Sequence, residues 1–190
     1  MRRDARLNRE RLIEAAGKIL STQPDQASIP LIAETAGVSV ATAYRFFPSL
    51  DELLGAFVLK VIIVLRDFSH DCPKTGKPLF ETVVAEWLRL LGVYGAGMVQ
   101  LRSRRGYLER LHQGDQVIGT VRDAWERPIR SVLRAEHIDD DQFEWALFIR
   151  NVLFDPREVI DLLGLGLTST DINRRLTSTY YGALRGWAEA

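Results

Sequence analysis

Cysteine is nearly absent from this chain of 190 residues, since Cys72 is the only one. A single cysteine cannot form an intramolecular disulfide, and it cannot supply the paired thiolates of a zinc finger. The first dozen residues are charged rather than apolar, which argues against a secretory signal peptide. Together these absences predict a cytoplasmic protein.

Long hydrophobic runs are also lacking. The longest, residues 53–65, contains Lys60 and is too short to span a bilayer. No segment alternates between apolar and polar residues for long enough to predict a strand, whereas apolar residues recur at helical spacing along most of the chain. The sequence therefore predicts an all-α protein with no membrane span.

Net charge is zero, with 25 lysines and arginines against 25 aspartates and glutamates. A neutral total argues against a nucleic-acid binder, but the distribution is uneven. Residues 1–50 hold seven bases and five acids, and residues 51–190 hold 18 bases and 20 acids. The excess at the N-terminus could reach phosphates, although a solvated chain end is the commoner reason for a few terminal arginines.

Residues 27–47, ASIPLIAETAGVSVATAYRFF, predict two short helices joined by a tight turn. Ser28 is a suitable N-cap for the first helix, and Gly37 follows that helix where a left-handed conformation is needed. Ser39 is a suitable N-cap for the second helix, predicted over residues 40–46. Two helices that cross over a short glycine-containing turn are a helix-turn-helix, whose second helix can enter the DNA major groove.

Further helices are predicted along nearly the whole chain. The spacing of Ser49 and Glu52 is that of a capping box. The helix that it opens, residues 50–68, is apolar on nearly every side, which predicts a buried connector between the N-terminal module and the rest. Pro128 is expected to kink or divide its helix, and three glycines between residues 92 and 97 are expected to weaken the end of theirs. The other predicted helices cover residues 5–21, 79–98, 101–113, 116–137, 141–154, 156–164 and 168–187.

The order of these motifs resembles the N-terminal domain of TetR-family transcriptional regulators. The resemblance covers about residues 9–57 and rests on I-A-x-x-A-G-V-S, on A-T-A-Y-R-F-F-P-S and on the acidic start of the apolar helix that follows. Pro30, Val40 and Leu50 depart from the family's commoner pattern, in which basic or polar residues stand at these positions. The departures bear on the strength of binding to the DNA backbone.

The resemblance implies a three-helix helix-turn-helix DNA-binding domain at residues 1–47 and a larger helical ligand-binding and dimerisation domain at residues 48–190. It implies a transcriptional regulator, usually a repressor, that binds a pseudo-palindromic operator in double-stranded DNA as a homodimer. The helix over residues 50–68 would couple a ligand cavity to the spacing of the two recognition helices. No cofactor and no enzymatic activity are implied.

The resemblance also points to DNA contacts in the helix-turn-helix. By resemblance, Tyr44 and Thr42 donate hydroxyl groups to phosphates, which sets register rather than sequence preference. Arg45 can reach guanine or phosphate, and the apolar side chains suit thymine methyl groups. The alternative is that Tyr44 and Phe46 are core aromatics. The candidate DNA-binding residues are Ser28, Ser39, Val40, Ala41, Thr42, Tyr44 and Arg45.

Two apolar stripes near the C-terminus fit either a dimer interface or the protomer's own core, and periodicity cannot separate the two. The resemblance favours a four-helix interface between two protomers. The predicted interface residues are Phe143, Leu147, Phe154, Leu176, Tyr180 and Leu184.

The middle helices carry many large side chains, most of which are expected to be plain core. Some are predicted to line a cavity for an apolar or aromatic small molecule, because such cavities are mostly apolar with a few polar groups. The predicted ligand-binding residues are Trp87, Tyr94, Met98, Tyr107, His112 and Trp125, and Arg102 is a further candidate for a polar contact.

Two other functions compete with DNA binding. An enzyme is disfavoured because no nucleophile–base pair, no phosphate-binding glycine loop and no paired metal ligands are recognisable. The polar residues at 67–72 could hold a metal ion, but they are more simply the start of a loop, so no metal is predicted. The second competitor is a helical interaction module that uses its helix-turn-helix to contact proteins.

Overall fold

The computed structural model describes residues 2–100 and 106–188. Within these ranges the chain is helical and contains no strand, which confirms the predicted all-α fold. No helix in the same ranges is long and apolar enough to cross a lipid bilayer. The helices are α1 (Arg2–Thr22), α2 (Ile29–Ala36), α3 (Val40–Phe46), α4 (Leu50–Asp71), α5 (Gly76–Gln100), α6 (Tyr107–His112), α7 (Gln116–Ala135), α8 (Phe143–Leu153), α9 (Pro156–Gly164) and α10 (Ser169–Ala188).

The first three helices pack around one apolar cluster. Leu12 and Ala16 on the inner face of α1 are fully buried, and α1 lies against both α2 and α3. Ile32 and Ala33 of α2 and Ala43 of α3 complete the cluster, and they are fully buried as well. Apolar residues spaced three or four positions apart give each short helix a single inward face, so the other faces stay open.

Helix α4 leaves this module and runs into the body of the protein. Its N-cap Ser49 accepts a hydrogen bond at its Oγ from the Glu52 N–H, 3.2 Å away, as the spacing of the two residues predicted. The helix packs on α1 at one side and on α5 and α7 at the other, and it buries Phe57 and Leu65. It connects the two parts as expected from the sequence, but it is not buried on every side, since Val64 and Phe68 are exposed. It ends at Asp71, slightly beyond the predicted end.

Aromatic rings fill the centre of the body. Phe80 is stacked on Tyr180, with ring centroids 4.6 Å apart, and meets Trp125 and Phe154 at 5.7 and 5.8 Å. Trp87 donates from its Nε1 to the carbonyl oxygen of Phe154 at 3.2 Å, so the one polar atom of this buried indole is satisfied.

Two glycines of α5 lie where other helices cross it closely. A Cβ atom on Gly97 would lie 2.7 Å from the side chain of Leu20, and one on Gly95 would lie 2.6 Å from Ile160. Contacts this short force a neighbour to shift, so a side chain at either position would disturb the packing of the crossing helix. Helix α5 continues to Gln100, slightly beyond the predicted end, and the weakening of this end by the glycines stays a prediction.

Helix α7 runs unbroken through Pro128, so the expected division of the helix is wrong, while the alternative of a kink stays a prediction. Pro128 is buried, and packing of the inner face of α7 outweighs the one hydrogen bond that proline cannot donate. Of the helix predicted over residues 101–113, the described part is α6; residues 101–105, including Arg102, lie outside the described residues.

The residues predicted for a dimer interface lie in the core of the protomer. The stripes on α8 and α10 face α7 and α5, and Tyr180 donates its hydroxyl to the carbonyl oxygen of Ala146 at 3.1 Å. The interface prediction is therefore wrong for the five fully buried residues, because periodicity finds an apolar stripe without showing which neighbour covers it. Phe143, Leu147, Phe154, Tyr180 and Leu184 are between 0% and 4% exposed, and Leu176 is partly buried against the same core.

The opposite side of α8 and α10 is unusually apolar for a surface. Trp145, Phe148 and Val152 of α8 are all exposed, and so is Trp187 of α10. The indole rings of Trp145 and Trp187 lie 5.0 Å apart, which joins the two helices into one patch. We call these four residues the outer apolar face.

Candidate nucleic-acid interface

The turn between α2 and α3 is built as the sequence predicted. Ser28 is the N-cap of α2, and its Oγ accepts a hydrogen bond from the Leu31 N–H at 3.4 Å. Gly37 ends the helix with a φ of 65°, in the left-handed region, and its N–H bonds to carbonyl oxygens of Ala33 and Glu34. A side chain at Gly37 would be strained there, so glycine sets the angle at which α3 leaves the turn.

Ser39 is the N-cap of α3 and uses its hydroxyl entirely within the turn. Its Oγ accepts from the Thr42 N–H at 3.2 Å and donates to the Thr42 Oγ1 at 2.8 Å. The Thr42 hydroxyl thus accepts one bond and keeps its own hydrogen free to donate. Of the two predicted hydroxyls in this turn, that of Thr42 is the one equipped to donate to a phosphate oxygen.

Helix α3 divides into a buried side and an open side. Ala43 and the following Phe47 are buried in the module. Tyr44 is 48% exposed and Val40 40%, so Tyr44 is not the core aromatic that the alternative interpretation supposed. Ala41 and Arg45 are exposed too, whereas Phe46 is partly buried against the core. The open side of α3 therefore exposes apolar side chains in its first turn, followed by the phenol of Tyr44 and the guanidinium of Arg45.

The charge on this surface comes from arginines that lie on aromatic rings. The guanidinium of Arg45 lies 5.5 Å from the ring centre of Phe46, and that of Arg9 lies 5.1 Å from the ring centre of Phe47. Within residues 2–100 and 106–188, no carboxylate forms an ion pair with Arg45. Sequence reasoning missed Arg9 as a site residue, because only the packing of α1 brings it to the end of α3.

The predicted ligand-binding residues lie in three different surroundings. Trp87, Trp125 and Met98 are buried, and Tyr94 meets Phe57 of α4 edge-on with ring centroids 5.2 Å apart. Tyr107 is partly buried. His112, by contrast, is exposed at the end of α6 and does not join the others.

An arginine that sequence reasoning passed over joins the two buried tryptophans. The guanidinium of Arg150 lies 3.9 Å from the ring centre of Trp125 and 5.5 Å from that of Trp87. Burial lowers the pKa of Arg150 to about 9. The sequence signal was weak, since an arginine inside an apolar helix usually points to solvent.

Two surface clefts are lined by other residues. The larger, about 470 Å³, lies between α5 and α10 and is lined in part by Glu81, Asn173 and Tyr181. The smaller, about 340 Å³, lies at the start of α7 and includes Asp115 and Asp123. Neither contains a predicted ligand-binding residue.

The polar residues at 67–72 are engaged in other contacts. His70 Nε2 lies 3.2 Å from a carboxylate oxygen of Asp123, Arg66 pairs with Asp67 at 2.7 Å, and Cys72 is buried. Across the described parts of the chain, no group of three histidine, cysteine, aspartate or glutamate side chains could hold a metal ion.

Comparisons with known proteins support the architecture. The sequence model of the family described as bacterial regulatory proteins, tetR family, matches residues 12–57. The fold is similar to a tetR-family transcriptional regulator from Streptomyces coelicolor, with a TM-score of 0.66 at 18% identity over 95% of this chain and 81% of that one. It is also similar to the fatty acid degradation regulator FadR from Bacillus halodurans, with a TM-score of 0.59 at 18% identity over 94% and 96%. No curated protein sequence matches the chain.

Proposed function

Because residues 12–57 of this chain form a regulatory domain of the TetR family, we propose that the protein is a DNA-binding transcriptional regulator. In this proposal it is a cytoplasmic repressor that binds a pseudo-palindromic operator as a homodimer and responds to a small molecule. The DNA-binding part is residues 1–47, and the ligand-binding and dimerisation part is residues 48–190. The protein has no catalytic role and needs no cofactor or metal.

The open side of α3 is the observation that carries the proposal. A short helix that exposes Tyr44 and Arg45, while Ala43 packs into the module, is suited to lie in a DNA major groove as a recognition helix. Tyr44 and Thr42 donate to phosphates and position the helix, and Arg45 reaches guanine or phosphate. Val40 and Ala41 meet thymine methyl groups.

The remaining candidates play supporting roles. Ser28 offers its hydroxyl hydrogen to a phosphate, because its Oγ already accepts from the Leu31 N–H. Ser39 acts by holding Thr42 in place, because its hydroxyl is already used. We add Arg9, which lies on Phe47 beside the end of α3 and supplies a second cation near the DNA backbone.

Dimerisation is proposed through the outer apolar face. Exposed apolar patches of this kind on a soluble protein mark interaction sites. Gly182 and Gly186 of α10 are also exposed, and small residues let two helices approach closely. Two copies of α8 and α10 would form a four-helix interface related by a two-fold axis, which is the symmetry that a pseudo-palindromic operator requires.

Ligand response is proposed through α4. Tyr94, a predicted cavity residue on α5, meets Phe57 of α4, and Phe57 in turn covers Gly17 of α1, where an added Cβ would lie 2.6 Å from the ring. A ligand that moves Tyr94 would therefore shift α1 and, with it, the helix-turn-helix. The ligand changes operator affinity by preferring one spacing of the two recognition helices.

Selection of DNA from a random duplex pool tests the proposal. Purified protein should retain duplexes with two related half-sites, whose centres lie about one helical turn apart or a multiple of it. The affinity should fall only shallowly with salt, with a slope well below that of about ten phosphate contacts, because few cations flank α3. Retention of no duplex would leave the protein-interaction module as the better interpretation of the helix-turn-helix.

A further inference from the structure

Arg150 is a buried cation in the last turn of α8. The residue is 5% exposed, and its guanidinium lies between the faces of Trp125 and Trp87. The arginine remains protonated at neutral pH even though burial lowers its pKa to about 9. A charge in such surroundings is costly unless hydrogen bonds and an opposite charge compensate it.

The guanidinium is only partly satisfied. Its Nη1 donates to the Asn151 Oδ1 at 3.0 Å. Its Nε and Nη2 are buried and have no hydrogen-bond partner among the described residues. Buried polar groups in native proteins nearly always have partners, so a buried guanidinium with two unpartnered nitrogens calls for an explanation.

Asn151 and Tyr107 lie beside the guanidinium. Burial raises the pKa of Tyr107, while the charge of Arg150 and a hydrogen bond from the Asn151 side chain lower it. Asp155 is the acid that acts on Arg150, and its Oδ1 also accepts from the Arg157 N–H. The attraction of Asp155 does not supply partners for Nε and Nη2.

The groups that remain available share one chemistry. The Nε and Nη2 of Arg150 can only donate hydrogen bonds, and the Tyr107 hydroxyl, which accepts from Asn151, keeps a hydrogen that it can donate. The Nε and Nη2 atoms form one edge of the guanidinium, the fork that pairs with both oxygens of a carboxylate. The surroundings are apolar, since Trp87 and Trp125 flank the group and Met98 of α5 is buried in the same body.

We propose that Arg150, Asn151 and Tyr107 bind the carboxylate of an organic acid whose remaining part is apolar. This acid is the small molecule to which the regulator responds, an assignment that rests on the function proposed above. Arg150 holds both carboxylate oxygens through Nε and Nη2, Tyr107 donates one further hydrogen bond from its hydroxyl, and Asn151 positions both of them. Trp87 and Tyr107, which the sequence already marked as ligand-binding residues, thus fall in the same site.

Calorimetry of the full chain without DNA tests the site. The probes are 3-phenylpropionate and octanoate, each compared with its neutral amide, in a buffer free of chloride. We expect the acids to bind about tenfold or more tightly than the amides, because a charged partner satisfies the fork. Equal binding of acid and amide, or no binding of either acid at millimolar concentration, would overturn the proposal. So would saturation of the site by acetate or chloride with the affinity of the larger acids.

Three variants separate binding from folding. Tyr107→Phe removes the donating hydroxyl and should weaken the acids about tenfold while the protein stays folded. Arg150→Met should abolish the preference for acid over amide without a fall in melting temperature, because the buried charge goes with the side chain. The matched control is Tyr180→Phe, whose hydroxyl is satisfied by Ala146; it should lower the melting temperature and leave acid binding intact.

The variants can also contradict the proposal. If Tyr107→Phe and Arg150→Met both bind acid as the parent does, the cluster is not the site. Gel-shift titrations with a selected duplex keep the two proposals apart. Normal DNA binding without acid binding would overturn this inference alone. Acid binding that never changes DNA affinity would leave the site in place but refute its role as the effector site.

Discussion

Arg127 donates from its Nη1 to the carbonyl oxygen of Ser69 at 2.6 Å, and so joins α7 to the end of α4. Its Nη2 donates to the carbonyl oxygens of Cys72 and Lys74 at 2.8 and 3.1 Å. The last carbonyls of a helix have no partner within the helix, so one arginine of α7 caps the C-terminus of α4. The far end of the connector helix is thereby attached to the body, while its near end carries the helix-turn-helix.

Loss of this contact should destabilise the protein. We expect Arg127→Met to lower the free energy of unfolding by about 2–3 kcal/mol, since several carbonyls lose a charged donor. Urea unfolding followed by circular dichroism measures the change. Arg134→Met, an exposed arginine on the same helix, is the matched control and should change stability by less than about 0.5 kcal/mol. Similar losses for both variants would show that the cap contributes little.

Substitutions on the open side of α3 should affect DNA binding alone. Arg45→Ala should weaken operator binding by about 1–3 kcal/mol, and Tyr44→Phe by about 1 kcal/mol, because each removes one contact to DNA. Gel-shift titration gives the affinities, and the melting temperature should not change, since both side chains are exposed. Arg134→Ala, far from the helix-turn-helix, serves as the charge-matched control. Unchanged affinity in both variants would refute the assignment of α3 as the reading helix.

The crossing of α1 and α4 at Gly17 should be sensitive to a single methyl group. Gly17→Ala would place a Cβ 2.6 Å from the Phe57 ring, and we expect a loss of about 1–3 kcal/mol in unfolding free energy. Gly55→Ala on α4 meets nothing within 4 Å and should be neutral or slightly stabilising.

A double-mutant cycle checks the physical cause. Adding Phe57→Leu to Gly17→Ala should recover part of the loss, because the smaller side chain relieves the clash. Strict additivity of the two changes would show that the ring is not what Gly17 accommodates. Altered operator affinity in Gly17→Ala at unchanged fold would further support the path from α5 through α4 to the helix-turn-helix.

A charge on the outer apolar face should separate the protomers. Phe148→Glu would bury a carboxylate in the proposed interface, and we expect at least a tenfold weaker dimer, or about 1.4 kcal/mol or more. Light scattering across a concentration series measures the assembly state. Val64→Glu introduces the same charge at another exposed apolar residue, on α4, and should leave the dimer intact. A protein that is monomeric before any substitution would contradict the proposed dimer altogether.

The free energy of unfolding should fall at acidic pH because Glu136 becomes protonated there. The side chain of Glu136 is only 7% exposed. Lys77 and Arg185 hold the pKa of Glu136 below its ordinary value of 4.5. A lowered pKa in the folded state stabilises the fold above the ordinary value, and this contribution is lost as the pH falls through the folded pKa. Urea unfolding between neutral pH and about pH 3 should show a smaller loss for Glu136→Gln than for the parent. Glu34→Gln on α2 is the control for the loss of a negative charge. Equal losses of unfolding free energy in Glu136→Gln and in the parent would contradict the role assigned to Glu136.

The helix-turn-helix could be predicted from the sequence because its determinants are local. The cap at Ser28, the left-handed Gly37 and the cap at Ser39 each act within three or four residues. The open side of α3 followed as well, since Ala43 and Phe47 are spaced to face inward together. The family match over residues 12–57 falls on this same region.

The C-terminal helices could be located but not oriented. The apolar stripes predict Phe143 and Tyr180 at an interface, yet they lie in the core, while Trp145 and Phe148 are exposed. A helix with apolar residues on two sides has no single preferred face in its sequence. Which side turns inward depends on the aromatic cluster around Phe80, and the members of that cluster come from helices far apart in the chain.

By itself the sequence determined where helices begin and turn, because caps, glycines and apolar spacing work over a few residues and need no partner. Only the tertiary structure decided which surfaces are covered, how closely Leu20 approaches Gly97 of α5, and how Arg127 reaches the end of α4. It also decided that Arg150 is buried while its Nε and Nη2 lack hydrogen-bond partners among the described residues. These features depend on contacts between residues many positions apart, and a pattern along one helix contains no information about its neighbours.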